Sequence, residues 1–328
     1  MSETGPHIDD IAALRERIAT HITVTPVVRC PFMESALGKG SEVTAKLEFL
    51  QRTGTFKARG ALATLMSLGD AQMSRGVTAV SAGNHAIATS FAAHALGTTA
   101  KVVMIRSANP ARVASCKAFG AEVVLANDVH AAFELAEQVR ETEGRYLVHP
   151  FEGRNIALGT GTVGLEICEQ IDAFDALLVP VGGGGLIAGI SNAVKQLRPD
   201  CEIIGVEPMG ADTMYRSRQA GSPQAIDSVR TIADSLGAPF AMPYSFALTE
   251  ANVDRLVRVD DNMLRRCMGL LFQAMRVAVE PACAATTAAL LGPLRDDLRG
   301  KRVVLVMCGS NIDWATFEQQ VIFDESAA

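Results

Sequence analysis

The middle of the chain alternates between short valine-rich runs and longer amphipathic stretches, and this alternation constrains the fold more than any other feature. Between residues 77 and 150 the order is VTAVSA, NHAIATSFAAHAL, AKVVMIR, NPARVASCKAF, AEVVLA, HAAFELAEQVRETEG and RYLVHP. Strand-length apolar runs separated by helix-length segments are typical of βαβ units, whose strands lie parallel in one sheet. The segment is therefore predicted to form a small α/β domain.

A second series of the same kind begins near Leu177 and predicts another parallel sheet. It runs through ALLVPV, four glycines, LIAGISNAVKQL and EIIGVEP, and a buried strand, RVVLVMCG, follows at 302–309. The predicted fold class is α/β, with two parallel-sheet domains and a cleft between them. We expect a discontinuous large domain at 1–75 and 153–328 and a small domain at 76–152. Ligands of such sheets bind at the carboxyl ends of strands, so a site is expected in the turns there.

Composition excludes several classes of protein. The chain has 328 residues, 48% hydrophobic content, a formal net charge of -6 and no dense run of lysine and arginine, so nucleic acid is not an expected partner. Seven scattered cysteines lack the paired spacing of a zinc site or a disulfide scaffold, which favours reduced thiols. No apolar run has the length of a membrane span, and the first 20 residues lack the apolar stretch of a signal peptide. We expect a soluble, cytoplasmic protein.

Four consecutive glycines, Gly182 to Gly185, lie between a predicted strand and a predicted helix. Such a loop leaves backbone N–H groups bare beside the positive end of the helix dipole, which is typical of a phosphate cradle. Residues 183–188 also satisfy G-x-G-x-x-A, and Glu207 follows at about the distance of a ribose-binding acid. The loop predicts a phosphate site and leaves a dinucleotide as an alternative ligand.

Two further strand ends carry polar residues. Ser81-Ala82-Gly83-Asn84-His85 follows one strand, where the N–H groups of the next helix can bind a carboxylate and where Ser81 or Asn84 also fits a simple N-cap. Cys308-Gly309-Ser310-Asn311 follows another. Cys308 is there either a buried core thiol or a weak hydrogen-bond partner for a ring nitrogen.

Lys57 stands where a lysine is not expected. Thr53-Gly54-Thr55-Phe56 is typical of a turn that leads into a helix, and a lysine at a helix start opposes the helix dipole. In a partly apolar cleft the pKa of its amine falls, and a neutral amine is a nucleophile that forms Schiff bases with aldehydes. The position therefore predicts a chemical use for this amine.

Together these segments resemble the pyridoxal-phosphate enzymes of fold type II. The matching segments, in order and approximate spacing, are Thr53 to Ala61, Ser81 to His85, Gly182 to Gly185 and Cys308 to Asn311. Within that group the chain is similar to the threonine/serine dehydratase and serine racemase family, through His149-Pro150-Phe151, Gly159 to Thr162, Gly205 to Pro208, Thr231 to Asp234 and Glu280 to Ala282. The resemblance implies a pyridoxal 5'-phosphate cofactor in the cleft, with Lys57 as the Schiff-base lysine.

The resemblance also implies a role for each matching residue. The cofactor phosphate would be bound by Gly182, Gly183, Gly184 and Gly185 with Leu186, while Phe56 adjoins the lysine, Asn84 contacts the ring hydroxyl and Cys308 faces the pyridine nitrogen. Because a thiol is a weak acid, that nitrogen should stay largely unprotonated, which favours elimination. The substrate carboxylate would be held by Ser81, Ala82, Gly83, Asn84 and His85.

The reaction implied is dehydration of L-threonine, L-serine or a related β-hydroxy amino acid to a 2-oxo acid and ammonia, with Lys57 as general base at Cα. The alternatives are a serine or amino-acid racemase, a nicotinamide-dependent oxidoreductase and a cofactor-binding homologue without activity. Racemases of the family carry a serine where Ala82 stands, which favours elimination here. The substrate side chain is left open, and Phe151, Glu152 and Arg154 are candidates for its pocket.

Several positions depart from the family pattern. Glycine is usual where Ser235 and Cys283 stand. Metal-dependent relatives bind a divalent cation through residues equivalent to Glu207, Ala211 and Thr213, but Thr213 replaces an acid, so the site is weakened and these three residues are left as weak candidates for a divalent cation. A small amino-acid substrate and a homodimer are the expected partners.

Overall fold

The computed structural model describes residues 5–323, which form two β-sheets covered by helices. The strands are β1 (Val27–Arg29), β2 (Glu42–Leu47), β3 (Val77–Val80), β4 (Ala100–Ile105), β5 (Glu122–Ala126), β6 (Tyr146–Leu147), β7 (Ala176–Pro180), β8 (Glu202–Pro208), β9 (Arg255–Val259) and β10 (Arg302–Met307). The helices are α1 (Ile8–Ile18), α2 (Pro31–Leu37), α3 (Lys57–Met66), α4 (Asp70–Arg75), α5 (Asn84–Ala95), α6 (Pro110–Ala118), α7 (Val129–Glu143), α8 (Arg154–Gln170), α9 (Gly185–Leu197), α10 (Thr213–Ala220), α11 (Pro243–Asn252), α12 (Asp261–Met275), α13 (Ala285–Leu291) and α14 (Trp314–Gln320).

The smaller sheet has the strand order β5-β4-β3-β6 and is entirely parallel. Each valine-rich run of this segment forms the predicted strand, and α5, α6 and α7 connect the strands. The run RYLVHP is shorter than predicted: after Tyr146–Leu147 only the bond from Val148 N to Thr78 O continues the ladder. The chain then turns at Pro150, which has no N–H to donate.

The larger sheet has the order β1-β2-β10-β7-β8-β9. Its pairs are parallel except for the edge strand β1, which runs antiparallel to β2. The predicted strands β7, β8 and β10 are present, and the two-sheet α/β fold class is confirmed. The pattern did not predict β1, β2 and β9, since charged residues such as Lys46, Arg255 and Arg258 interrupt their apolar runs.

One hydrophobic core lies beside the smaller sheet. It contains Ala86 and Val102 from that sheet and α5, together with Leu14 from α1 and Leu62 from α3. Both α1 and α3 precede residue 76, so the division into domains at 75/76 and 152/153 stays a prediction.

Helix α8 packs closely against both α3 and α9. A Cβ at Gly159 would lie 2.5 Å from the carbonyl oxygen of Arg59 on α3, and one at Gly164 would lie 2.8 Å from that of Ile190 on α9. Only glycine allows backbones to approach this closely. Because α3 begins with Lys57 and α9 begins with the glycine loop, α8 fixes the distance between the two predicted cofactor contacts. Among residues 5–323, no helix is both long and apolar enough to cross a membrane.

Candidate active site

A cavity of about 370 Å³ lies where the carboxyl ends of strands from the two sheets face each other. The residues predicted to bind cofactor or substrate all line it: Phe56, Lys57, Ser81, Ala82, Gly83, Asn84, His85, Gly182, Gly183, Gly184, Gly185, Leu186 and Cys308. They come from turns at the start of α3 and after β3, β7 and β10. The structure thus brings the four sequence motifs together in one cavity.

Lys57 is the first residue of α3 and is half-buried. Its Nζ donates a hydrogen bond to the carbonyl oxygen of Pro150 at 2.7 Å and lies 5.2 Å from the ring centroid of Phe56. Burial lowers the pKa of the amine to about 8. The neutral fraction near neutral pH is therefore larger than for an ordinary lysine, and the neutral amine is the nucleophilic form.

The glycine loop leads directly into α9. Gly184 has a φ of +89°, a backbone conformation that favours glycine, and a Cβ at Gly183 would lie 2.3 Å from the ring of Phe151 in the cavity wall. Close packing therefore requires glycine here independently of any ligand. The N–H groups of residues 182–187 donate to no acceptor among the described residues, and unpaired N–H groups at a helix start form an anion site.

The start of α5 is a second set of N–H donors, after β3. Gly83 N donates to the Ser81 hydroxyl at 3.1 Å, so Ser81 closes the turn. His85 donates from Nε2 to the carbonyl oxygen of Val148 at 2.8 Å, and burial lowers its pKa to about 3. The neutral imidazole therefore connects α5 to the chain after β6. Only the backbone N–H of His85 remains to bind a substrate carboxylate.

Asn84 is held on both sides of its amide. Its Nδ2 donates to Glu280 at 2.9 Å and to the Ser235 hydroxyl at 3.0 Å, while its Oδ1 accepts from Asn311 at 2.8 Å. Glu280 lines the cavity, and burial raises the pKa of its carboxyl to about 7. Glu280 was not predicted as a site residue, although it begins one of the segments that carry the family resemblance.

Arg112 crosses from α6 to the loops of the other sheet. Its Nε donates to the carbonyl oxygen of Asn311 at 3.0 Å, and its guanidinium forms an ion pair with Asp234 and lies 3.9 Å from Glu280. A Cβ at Gly83 would lie 2.8 Å from this guanidinium, so Arg112 also lies against the turn after β3. No sequence pattern indicated Arg112, since an arginine on an amphipathic helix is ordinarily solvated.

Cys308 lies at the end of β10 beside Cys283, and both residues are buried. A hydrogen bond with the Cys283 thiol, together with burial, raises the pKa of the Cys308 thiol. Cys308 is therefore a neutral, weakly acidic group in the cavity wall, which is the character expected of a thiol that faces a pyridine nitrogen.

The comparison with known proteins identifies the family. A family model described as "Pyridoxal-phosphate dependent enzyme" matches residues 18–309. The chain belongs to this family. It is 51% identical to the phenylserine dehydratase of Ralstonia pickettii, and the match covers 97% of both proteins. It is 36% identical to the catabolic L-threonine dehydratase of Escherichia coli, with 95% of both proteins covered. Maize serine racemase superposes with a TM-score of 0.91 at 33% identity, over 96% of each chain.

The cavity fits the family's cofactor, pyridoxal 5'-phosphate. The aldehyde requires a primary amine with a lowered pKa, and the phosphate requires clustered N–H donors. Lys57 supplies the first, and the bare N–H groups at the start of α9 supply the second. The individual residue roles taken from the resemblance remain predictions.

The acid suggested for a dinucleotide ribose has another partner. Both carboxylate oxygens of the buried Glu207 accept N–H groups at the start of α10, from Met214 at 2.8 Å and Tyr215 at 2.7 Å. Burial raises its pKa to about 8. Glu207 is thus a helix cap, which disfavours the nicotinamide alternative.

Two of the three weak metal candidates have hydrogen-bond partners within the protein. Thr213 donates from its hydroxyl to the carbonyl oxygen of Ala238 at 2.7 Å, Ala211 is buried in a short turn, and Glu207 caps α10. No group of three or more His, Cys, Asp or Glu side chains within residues 5–323 is placed to hold a metal ion.

Of the three candidates for the substrate side-chain pocket, only Phe151 lines the cavity. Glu152 caps α11 by accepting from Tyr244 N at 2.7 Å and Ser245 N at 3.0 Å. Arg154 forms an ion pair with Asp10 at 2.7 Å, away from the cavity. The expectation for Glu152 and Arg154 was wrong because both side chains complete helix contacts of their own.

Proposed function

We propose that this chain is a pyridoxal-phosphate-dependent ammonia-lyase that dehydrates β-hydroxy-α-amino acids with an apolar, aryl-sized group on Cβ. The observation that carries the proposal is the half-buried amine of Lys57 in a cavity that also presents bare N–H groups at the start of α5. The similarity to a phenylserine dehydratase over almost the whole chain supports an aryl substrate. L-Threonine and L-serine are the second candidates, supported by the similarity to threonine dehydratases.

Each part of the reaction has a residue suited to it. When bound, the cofactor withdraws electrons from Cα and makes its proton acidic. Lys57, with its lowered pKa, is the group that takes this proton, while the N–H groups of residues 84–86 hold the substrate carboxylate. The β-hydroxyl leaves as water by taking up one proton, which balances the proton that Lys57 removes from Cα, and hydrolysis of the resulting enamine yields the 2-oxo acid and ammonia.

The neutral thiol of Cys308 supports elimination over slower carbanion chemistry. A group with a raised pKa does not protonate a pyridine nitrogen, so the electron sink stays weak. A weak sink suits a reaction in which the leaving hydroxyl removes the negative charge. Ala82 supports the same choice, since its methyl group cannot return a proton to Cα.

The test is turnover by the purified protein supplemented with pyridoxal 5'-phosphate. We expect phenylpyruvate and ammonia in equal amounts from L-threo-3-phenylserine, with a higher kcat/KM than for L-threonine or L-serine. Lys57→Ala should release neither product. A protein that binds the cofactor but forms no 2-oxo acid from any of the three substrates would refute the proposal, whereas higher activity on threonine would refute only the aryl preference.

A further inference from the structure

Part of the cavity lies against α7 and the smaller sheet, and its wall there is apolar. We call it the α7 chamber and define it by Val80, Val103, Ile105, Ala132, Ala136 and Leu147. Val80, Val103, Ile105 and Leu147 come from β3, β4 and β6, and the two alanines come from α7. None of these side chains bears a charge or a hydrogen-bonding group, so the chamber suits an apolar ligand.

Two alanines make the chamber possible. Ala132 and Ala136 lie one turn apart on α7, so both face the sheet, and each is only 1% exposed. Phe133 lies at the edge of the cavity with 49% of its surface exposed. Both alanines pack in one hydrophobic cluster with Val103, so a longer side chain at either would narrow the chamber or displace these neighbours.

Along the chain, the chamber residues adjoin both groups that are expected to hold an amino acid. Val80 directly precedes Ser81 and the N–H donors of α5. Leu147 lies three residues before Pro150, whose carbonyl oxygen accepts the hydrogen bond from Lys57. This adjacency is the reason for placing the Cβ substituent of a substrate, anchored by its carboxylate and deprotonated by this lysine, against the chamber wall.

Phe151 and Phe240 form another, aromatic part of the cavity wall. Phe151 packs against Gly183 and Gly185, and its ring centroid lies 6.0 Å from that of Phe240. This wall covers the glycine loop, where the cofactor phosphate would bind, so it does not compete for the substrate side chain.

Charge in and around the chamber favours a neutral substituent. Glu137 is the one titratable side chain that α7 contributes to the cavity wall among the described residues, and it is hydrogen-bonded to Arg140. An anionic side chain would therefore meet a carboxylate and no free cation in this part of the wall, which is unfavourable at low dielectric.

We infer that Ala132 and Ala136 determine the size of the substrate side chain, because the α7 chamber receives the aryl ring. The inference rests on the proposed function, since it assigns a place to the substituent of that substrate. An aromatic ring buries a large apolar area in such a space, so the chamber also accounts for a preference over threonine.

The experiment fills the chamber with Ala136→Leu and uses Gln138→Leu as a matched control. Gln138 lies on the same helix but is exposed, so the control adds a leucine outside the cavity. We expect kcat/KM for 3-phenylserine to fall about tenfold or more in Ala136→Leu while that for L-serine changes by about twofold or less. Gln138→Leu should leave both values unchanged.

A binding measurement separates the chamber from the chemistry. L-Phenylalanine and L-alanine have no β-hydroxyl and differ only in the ring, and their dissociation constants follow from the visible spectrum of the holoenzyme or from calorimetry. We expect Ala136→Leu to weaken phenylalanine binding about tenfold and to leave alanine binding within about twofold. If the wild type turns over no β-hydroxy amino acid, the proposed function fails while this measurement still tests the chamber.

Two outcomes would overturn the inference. Equal losses for serine and 3-phenylserine would indicate a structural role for Ala136, and an unchanged phenylalanine dissociation constant would place the ring elsewhere. If Ala136→Leu lowers the melting temperature enough to prevent measurement, Ala132→Val and Ala136→Val decide. Each should reduce 3-phenylserine turnover selectively, and a non-selective or absent effect in both would refute the inference.

Discussion

At the scale of single residues, Lys57 shows how burial alone prepares a side chain for chemistry. Its amine has one protein acceptor, the carbonyl oxygen of Pro150, and burial is the main cause of its lowered pKa. The charged form is therefore less stable in the folded protein than in the unfolded chain, where the pKa is about 10.5. Burial of the Lys57 amine therefore both raises its reactivity and lowers the free energy of unfolding.

This cost predicts a pH-dependent effect of Lys57→Met on the cofactor-free protein. The buried charge lowers the free energy of unfolding most strongly below pH 8, where both states bind the proton, and the penalty fades as pH rises to about 10.5. We expect Lys57→Met to be more stable than the wild type at pH 7 and the difference to shrink above pH 8. Urea unfolding at several pH values measures it, and a gain that does not change with pH would contradict the account.

Ala82 leads to a prediction about stereochemistry. Racemisation needs a second acid or base on the face of Cα opposite the lysine, and a methyl group can neither donate nor accept a proton. The nearby Ser81 hydroxyl is held by the N–H of Gly83. From L-serine or L-threonine we expect D-serine or D-allo-threonine to form at least about a hundredfold more slowly than 2-oxo acid, and Ala82→Ser to raise the rate of racemisation relative to elimination. Chiral chromatography checks both, and D-enantiomer formed at the rate of elimination would refute the prediction.

At the scale of elements, helix α3 is anchored by a buried cluster of four charges. Arg59, two residues after the catalytic lysine candidate, forms ion pairs with Glu48 at 2.9 Å and Glu166 at 2.6 Å, and Lys46 pairs with Glu166 at 2.6 Å. All four side chains are at most 1% exposed. The cluster ties the start of α3 to β2 and α8, so it positions Lys57 without contacting the cavity.

Removing the centre of this cluster should be costly. Arg59→Met leaves two buried carboxylates with one cation, which destabilises a protein by ~3–5 kcal/mol. The control is Arg299→Met, since Arg299 forms an exposed pair with Asp296 that contributes about 1 kcal/mol at most. Denaturant unfolding compares them. Equal effects of the two substitutions would show that the buried cluster does not hold α3 in place.

The same element shows what sequence reasoning reached and what it did not. The start of α3 at Lys57 was predicted because a turn, a dipole mismatch and a lysine are local features. Strand β2 was not, since its inward-facing Lys46 breaks the apolar pattern and is neutralised by Glu166 from far along the chain. The ion pair between Arg112 and Asp234 could not be predicted from the sequence for the same reason, because a local pattern does not indicate which residue of another element a side chain will contact.

At the scale of the whole molecule, Arg112 connects the two sheets across the cavity. It joins α6, which follows a strand of the smaller sheet, to Asp234 and to Asn311 beyond β10. We expect Arg112→Ala to raise KM for all substrates roughly tenfold, because charge-assisted hydrogen bonds of about 1.5–3 kcal/mol are lost, while the visible cofactor band and kcat change little. The control is Arg106→Ala, because Arg106 is an exposed arginine that directly follows β4. A loss confined to kcat would contradict a positioning role.

The position of β10 within the larger sheet has a consequence for how the chain folds during synthesis. Although it is the last strand in the sequence, it lies between β2 and β7 inside the larger sheet. The smaller sheet is contiguous from β3 to β6 and can pair as soon as it emerges, but the larger one is completed only after β10 has been synthesised. Until then β2 and β7 lack their shared neighbour, and the wall that carries Cys308 does not exist. Competence to bind cofactor therefore requires β10, and the edges of β2 and β7 that it covers stay unpaired in the nascent chain until then.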